Sequence, residues 1–465
     1  MAWPLATLPL RPLLLITGGI NAAILLLRWP WLIWLVLALA LPVTSGLKFG
    51  PASATDLILI VAITLWFANG VRCRTLRLHG SILTSLLLCY VGVLYLSLLG
   101  AINLGEATVE MGKWLEVIIV LLLVRAMLTP TQAPWLIVAL LMAGASQAIL
   151  GIYQFIFQIG PTWFIILGRF MRASGSFQQP NPYAGYLGLC LPVAVSLMLW
   201  AWTTLLTGQG KRLTTLFWLV FTTVSAGLLA AALLASWSRG GWLGGLTGVG
   251  LVIVLRSRLA ALSSAVIILL VLCTLLLGSF KPDVIPAPLV ARLQDIPAYF
   301  GLTDIVNQPV NDDNFAVIER VAHWVAAVRM WEQAPWLGVG PGNYATVYPI
   351  VRLPLWEEPL GHAHNIYLNV LAESGLVGLG AYLLFWVTGT IWVWRQFRQA
   401  TQHNDPWKAA LALGVLGVLG HISVHNIFDN LFVQGIYLQI GLWLAALSIG
   451  FTVRPLADIA PAEHQ

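Results

Sequence analysis

About a dozen runs of roughly twenty apolar residues, separated by short turns, decide the class of this chain before any motif is read. In a bilayer every backbone polar group must be satisfied within its own segment, so such runs read as spanning helices. Only 9% of the 465 residues are charged and 59% are hydrophobic, whereas a soluble domain carries about 25% charged residues. A soluble fold of this composition would aggregate.

The runs lie at 31–47, 56–71, 81–100, 113–128, 134–157, 182–205, 214–236, 240–255, 259–279, 375–394, 409–428 and 435–452. Residues 12–27 are apolar but short, and Arg28-Trp29-Pro30 parts them from the next run. They form a thirteenth span, an interfacial helix or half of a broken first helix. The expectation is an all-α polytopic transmembrane bundle of twelve or thirteen spans with one long external loop containing short helices. Its parts are an N-terminal bundle at 1–280, the loop at 281–374, C-terminal helices at 375–453 and a cytoplasmic tail at 454–465. There is no clean signal-peptide cleavage site, and the four cysteines are scattered without a disulfide or metal pattern. No matching halves appear, which disfavours the inverted-repeat transporters.

The net charge of +6 conceals a polarity. Residues 281–374 hold ten acids and five bases, a net −5, so the rest of the chain carries +11. That excess sits in short turns at Arg72/Arg74/Arg77, Lys211/Arg212, Arg256/Arg258, Arg395/Arg398/Lys408 and Arg454. The positive-inside rule puts those turns in the cytoplasm. The loop at 281–374, the loop at 158–181 and the Ser238-Arg239-Gly240-Gly241 junction then all face the other side. The charge is therefore a topology signal and implies no nucleic acid.

Several polar residues on that external side could carry chemistry. Arg239 stands at a membrane boundary, where it is either a snorkelling arginine or an anion clamp for a phosphate or pyrophosphate. Ile318–Gln333 reads as an amphipathic surface helix with Val321, Trp324, Val325, Val328 and Trp331 on its apolar side. Arg320, one turn before Trp324, either stacks on it or faces inward as a second phosphate ligand. Gly338-Val339-Gly340-Pro341-Gly342-Asn343 is a tight turn, not a P-loop, and offers an anion at most backbone N–H groups.

His364, in His362-Ala363-His364-Asn365, lies at or near a helix N-terminus, where the dipole favours a neutral ring able to accept a proton. It suits a general base, or it caps and packs. A zinc pair at His362 and His364 lacks a third ligand at matching spacing. Two more external sets, Arg169/Arg172/Gln178/Gln179/Asn181 and His421/His425/Asn426/Asp429, serve interhelical hydrogen bonding or a site. Asp56, Glu116 and Arg125 read as interfacial.

Three stretches together resemble the O-antigen ligase and polymerase superfamily: Ser238-Arg239-Gly240; Arg320-xxx-Trp324 followed by Pro335-Trp336-Leu337-Gly338-Val339-Gly340; and His364-Asn365, nine residues, then Gly375-xx-Gly378. The resemblance covers residues 170–395 by motif. It implies an inverting glycosyltransferase of the inner membrane that needs no metal or cofactor. The glycan passes from an undecaprenyl-pyrophosphate donor to a glycolipid acceptor hydroxyl of the lipid A-core type, on the periplasmic side.

By the same resemblance Arg239 and Arg320 hold the donor pyrophosphate and His364 is catalytic. Arg172, Asn365, His362 and Asp429 are supporting candidates. The absence of an Asp-x-Asp pair agrees with metal independence. The Ser-Arg-Gly-Gly-Trp-Leu-Gly run and the long Pro-Trp-Leu-Gly-Val-Gly-Pro-Gly-Asn-Tyr stretch look closest to a cyanobacterial branch labelled as inorganic-carbon transporters. Retention of the histidine signature favours the enzyme. Bicarbonate or anion transport is the alternative, followed by a repeat-unit polymerase or a protein O-oligosaccharyltransferase.

Overall fold

The computed structural model describes residues 10–449 apart from 45–46, 50–51, 267–309 and 311–313. It is 77% helical, which makes the chain an all-α membrane protein. The strands among the described residues are two hairpins of two-residue strands, β1 (Lys48–Phe49) with β2 (Ala52–Ser53) and β3 (Ile165–Ile166) with β4 (Phe170–Met171). Neither hairpin was expected, because strands this short leave no period-2 pattern.

The helices are α1 (Leu10–Arg28), α2 (Ile33–Thr44), α3 (Ala54–Cys73), α4 (Ile82–Ser97), α5 (Leu104–Met127), α6 (Ala133–Phe157), α7 (Pro180–Leu206), α8 (Arg212–Ala235) and α9 (Arg239–Arg256). After the undescribed stretch come α10 (Phe315–Gln333), α11 (Tyr344–Val351), α12 (Ile366–Gln402), α13 (Pro406–His425) and α14 (Ile436–Ile449).

Seven of these segments are long and apolar enough to cross a membrane, or eight if the α1–α2 pair, bent by 117°, counts as one span. The shortfall against twelve has local reasons. Helix α5 carries Glu106, Glu110, Lys113, Glu116 and Arg125, α9 is rich in glycine between two arginines, and α14 has 14 residues. The expected span at 259–279 lies outside the described residues beyond 266. The break at Trp29–Pro30 follows from proline, which has no N–H to continue the helix.

Local caps set the helix starts. Ser53 and Asp56 form a capping box for α3, and Ser81 with Thr84 another for α4. Asp56, read as interfacial, is thus a capping residue. Asn103 caps α5, accepting from the Gly105 and Glu106 N–H groups, so this helix begins well before the expected residue 113. Glu116 consequently falls inside the helix, where it accepts a hydrogen bond from Tyr437 Oη of α14 at 2.9 Å.

Helix packing in lipid has no hydrophobic drive and relies on close backbone approach at small residues. Helix α9 shows the means. A Cβ on Gly240 would stand 2.6 Å from His425 Cδ2, on Gly244 2.8 Å from His421 Nδ1, and on Gly248 2.7 Å from the Gly417 carbonyl oxygen. These three glycines, one turn apart, press α9 against α13 and fix the depth of Arg239 relative to the end of α13.

The glycine-rich turn works in the same way. Val339 and Gly340 donate N–H bonds to the carbonyls of Ala372 and Glu373, while Leu376 and Val377 donate to those of Pro335 and Trp336. This ladder splits α12 at Gly375 (φ 64°, ψ −166°), where a Cβ would lie 2.3 Å from the Trp336 carbonyl carbon. Asn343 ties the turn to the start of α5, its Oδ1 accepting from Ile102 and Asn103 N–H at 3.1 and 2.7 Å and its Nδ2 donating to Asn103 O at 3.1 Å. The turn's N–H groups are spent on protein, so it holds no anion.

Helix α10 is rotated from its expected orientation. Its buried face is Val317, Ile318, Ala322, His323, Ala326, Ala327 and Met330, while Val321, Trp324, Val325 and Val328 are only half-buried. Three alanines in the middle of that face let the helix lie against α12.

Candidate functional site

Arg239 is the first residue of α9, whose cap is Ser238: the Ser238 Oγ accepts the Gly241 N–H at 3.3 Å. Trp237 before it takes a left-handed backbone (φ 50°), which turns the chain sharply from α8 into α9. The arginine is 8% exposed. Arg320 comes from the second turn of α10 and donates to the Ala316 carbonyl at 2.9 Å. Arg172 follows β4 and is held by Ser236 O at 3.0 Å and Asn181 Oδ1 at 2.9 Å.

These three guanidiniums, from chain segments far apart in sequence, line one cavity of about 310 Å³ together with Asp429, His425, Asn181, Ser238 and Trp163. Among the described residues they stand against one carboxylate, which gives that lining a charge of +2 when the histidine is neutral. A cavity of this size falls in the range of small-molecule sites, about 300–1,000 Å³.

His364 stands one residue ahead of α12. Asn365 is the cap, its Oδ1 accepting from Tyr367 and Leu368 N–H at 3.0 and 3.1 Å. Asn365 is thereby committed to the helix end and does not reach the cavity. His364 adopts φ 50° and donates its N–H to His362 Nδ1 at 3.1 Å. Its Nδ1 lies 3.3 Å from Asp429 Oδ1, and Nε2 is buried with no hydrogen-bond partner among the described residues.

Asp429 sits between α13 and α14 and also accepts the Asn430 N–H at 2.8 Å. A backbone bond from Ile366 N–H to Asn426 O at 3.0 Å clamps the two loops together. Burial alone would raise the Asp429 pKa. The hydrogen bond from His364 and the charges of His364, His362 and Arg320 outweigh it and hold the carboxyl well below its usual range. As a permanent anion, Asp429 takes the Nδ1 proton of His364 in a hydrogen bond and leaves the lone pair on Nε2, an assignment that follows from the network.

A further histidine, His323, was not singled out for chemistry in the sequence. It is fully buried one turn beyond Arg320, stacked 4.6 Å from Tyr348 and edge-on to His364 at 5.7 Å. Tyr344 Oη donates to the His323 carbonyl at 3.0 Å, so the His323 Nδ1, 2.9 Å away, donates to that hydroxyl. Burial, aided by His364 and Arg320, pushes His323 down to about 4. His362 is driven down to about 3 by burial and His364, against the pull of Asp429. The spacing from Arg320 to His323 put both on adjacent faces of one turn, the only signal available. Trp163, in the loop between α6 and α7, carried none.

Of the expected residues, then, Arg172, Arg239, Arg320 and Asp429 share the cavity, and His364 and His362 stand against it through Asp429. Arg169 is exposed over the Phe170 ring instead. His421 and His425 lie on one face of α13 with Nε2 and Nδ1 3.5 Å apart. The arrangement can bind a dianionic group beside an imidazole that Asp429 orients.

Residues 224–383 match the family described as O-Antigen ligase. The match spans 160 of 465 residues and includes Arg239, Arg320 and His364, with Arg172 and Asp429 outside it. It supports the superfamily read from the three motifs. No curated protein matches the chain.

Proposed function

From the premise that this membrane protein carries an O-antigen ligase domain around Arg239, Arg320 and His364, we propose that it is an inverting oligosaccharide transferase. It moves a glycan from an undecaprenyl-pyrophosphate donor to a hydroxyl of a glycolipid acceptor on the periplasmic side of the inner membrane. The observation that carries this reading is the convergence of three arginines on one cavity beside the Asp429–His364 pair.

The chemistry follows from that geometry. A pyrophosphate esterified at both ends carries two negative charges, which the +2 lining matches. Arginine forks pair bidentately with phosphate oxygens and neutralise the charge that grows on the leaving group. The acceptor hydroxyl attacks the anomeric carbon from the face opposite the phosphate. Its proton passes to His364 Nε2, the new C–O bond forms, and the electron pair of the breaking bond leaves on the pyrophosphate oxygen. Asp429 stabilises the imidazolium so formed and fixes the ring's orientation. Entry of the polyprenyl tail from the bilayer suits a cavity whose lining includes the exposed Trp163 and Ile166 beside the arginines.

A ligase, a repeat-unit polymerase and a protein O-oligosaccharyltransferase share these steps and differ in the acceptor alone. Anion transport would need a polar path onward to the cytoplasmic face, and the polar groups described here collect at one end of the helices.

The test is complementation in a host lacking its own ligase, with surface glycan resolved on gels. Single Ala substitutions at Arg239, Arg320 and His364 are expected to abolish transfer while the protein still inserts. Wild-type transfer by all three would overturn the assignment, and uptake of labelled bicarbonate into proteoliposomes would replace it with transport.

A further inference from the structure

His362 and His364 are two residues apart and alone make no metal site, but the fold brings in a third donor. His362, His364 and Asp429 each present one ligand atom, all within 4.8 Å of one another. Asp429 Oδ1 stands 3.3 Å from His364 Nδ1 and 4.0 Å from His362 Nε2. Two imidazoles, a carboxylate and an open fourth position are the donor set of zinc in hydrolytic enzymes. Nitrogen donors select zinc and its neighbours in the first transition row over magnesium or calcium, which take oxygen. Coordination through His364 Nδ1 leaves that ring's proton on Nε2, which is buried without a hydrogen-bond partner among the described residues.

The resting contacts oppose the ion only weakly. His362 Nδ1 accepts the His364 N–H at 3.1 Å, which places the His362 proton on Nε2, toward Asp429. Coordination through that nitrogen moves the proton to Nδ1, where it displaces the His364 N–H, and the ion also replaces the His364–Asp429 hydrogen bond, a small loss beside three coordinate bonds. The proposed reaction uses the same atoms. Asp429 must accept from His364, and His364 must offer a lone pair to the acceptor hydroxyl.

We propose that His362, His364 and Asp429 form a binding site for a zinc-class divalent ion, and that its occupancy switches the transferase off by consuming the base and the carboxylate that orients it. The inhibitory half rests on His364 being the base; the metal-binding half does not.

The experiment uses the full-length protein in detergent micelles, with any histidine tag removed. Titration with Co²⁺ is expected to give one equivalent of visible d–d absorption that Zn²⁺ displaces. Asp429→Asn and His362→Gln each remove a direct ligand and should weaken Co²⁺ binding by more than the ~10–100-fold that losing a supporting contact costs. No d–d bands, or equal affinity in both variants, would overturn the site. In parallel, glycan transfer by the wild type is expected to fall as ZnCl₂ occupies the site and to return with EDTA. Cobalt binding with zinc-insensitive transfer overturns the inhibitory half. Cobalt binding with no transfer under any condition would count against the transferase reading and leave the metal site standing.

Discussion

Replacing Asp429 by Asn tests the site's logic most directly, because the side chain keeps its volume and loses only its charge. In the reaction a positive charge develops on His364, whose Nδ1 is 3.3 Å from Asp429 Oδ1. At an effective dielectric of about 20, Coulomb's law gives about 5 kcal/mol for unit charges at that distance. With the proton about half transferred in the transition state, about 2.5 kcal/mol is lost, and at 1.36 kcal/mol per decade that is about 70-fold in kcat. Any turn of the amide that presents N–H to the ring forces the wrong tautomer and adds to the loss.

The binding parameter should move the other way. Asp429 is the one carboxylate lining the cavity among the described residues, so its removal raises the charge of that lining by one and tightens a dianionic donor. The assay is steady-state transfer in detergent or proteoliposomes, varying the donor, with thermal unfolding as a check on folding. A kcat within about threefold of wild type, or a loss confined to a raised KM for the donor, would refute the reasoning.

Other expected outcomes are equally concrete. Arg239→Ala or Arg320→Ala should lower kcat/KM by about 100-fold or more, as removal of a transition-state donor does, and lysine should recover only part because it lacks the planar fork; full activity of either lysine variant argues against bidentate phosphate binding. Gly375→Ala puts a Cβ against the Trp336 backbone at a left-handed φ, so the folded yield and unfolding temperature should both drop, by at least the ~1–3 kcal/mol such backbone strain costs. Asn343→Ala removes three hydrogen bonds to residues 102 and 103, about 3 kcal/mol at about 1 kcal/mol each; an unchanged melting temperature would show that the turn is anchored by other means. Gly244→Leu should separate α9 from α13 and abolish transfer without touching a charged residue, seen as loss of activity in protein that still reaches the membrane.

Much of this was legible in the sequence for reasons that are local. Apolar runs mark spans because lipid tolerates nothing else. Arg239 stood out because charge at a membrane boundary is costly, Arg320 by its place on an amphipathic helix, and His364 by its place ahead of a helix, all three within the family motifs. Distances across the chain were not legible. Nothing in the neighbourhood of His362 announces that Asp429 is its companion, since a hydrogen bond between the Ile366 and Asn426 backbones makes that introduction. The burial of His323 was hidden because the bulky Val321, Trp324, Val325 and Val328 mark the other side of α10 as the apolar one, while the structure leaves them half-buried. The glycine-rich turn was legible as a turn, but its purpose, splitting α12 at Gly375, needs both strands of the ladder in view. Helix α5 extends beyond its apolar run because Asn103 satisfies the first N–H groups, which a hydropathy reading does not weigh.

The three-arginine cavity also bears on the end of the catalytic cycle. A donor leaves as its own leaving group: once the sugar has departed, the lipid pyrophosphate gains a negative charge and loses the bulk that crowded it. A pocket whose cations suit the esterified form grips the spent carrier harder still. In the proposed transfer, turnover would then be governed by the escape of the carrier lipid back into the bilayer, and accumulated carrier would act as a brake. An assay that follows only the first round of transfer would see a burst, and the height of that burst would count the working sites.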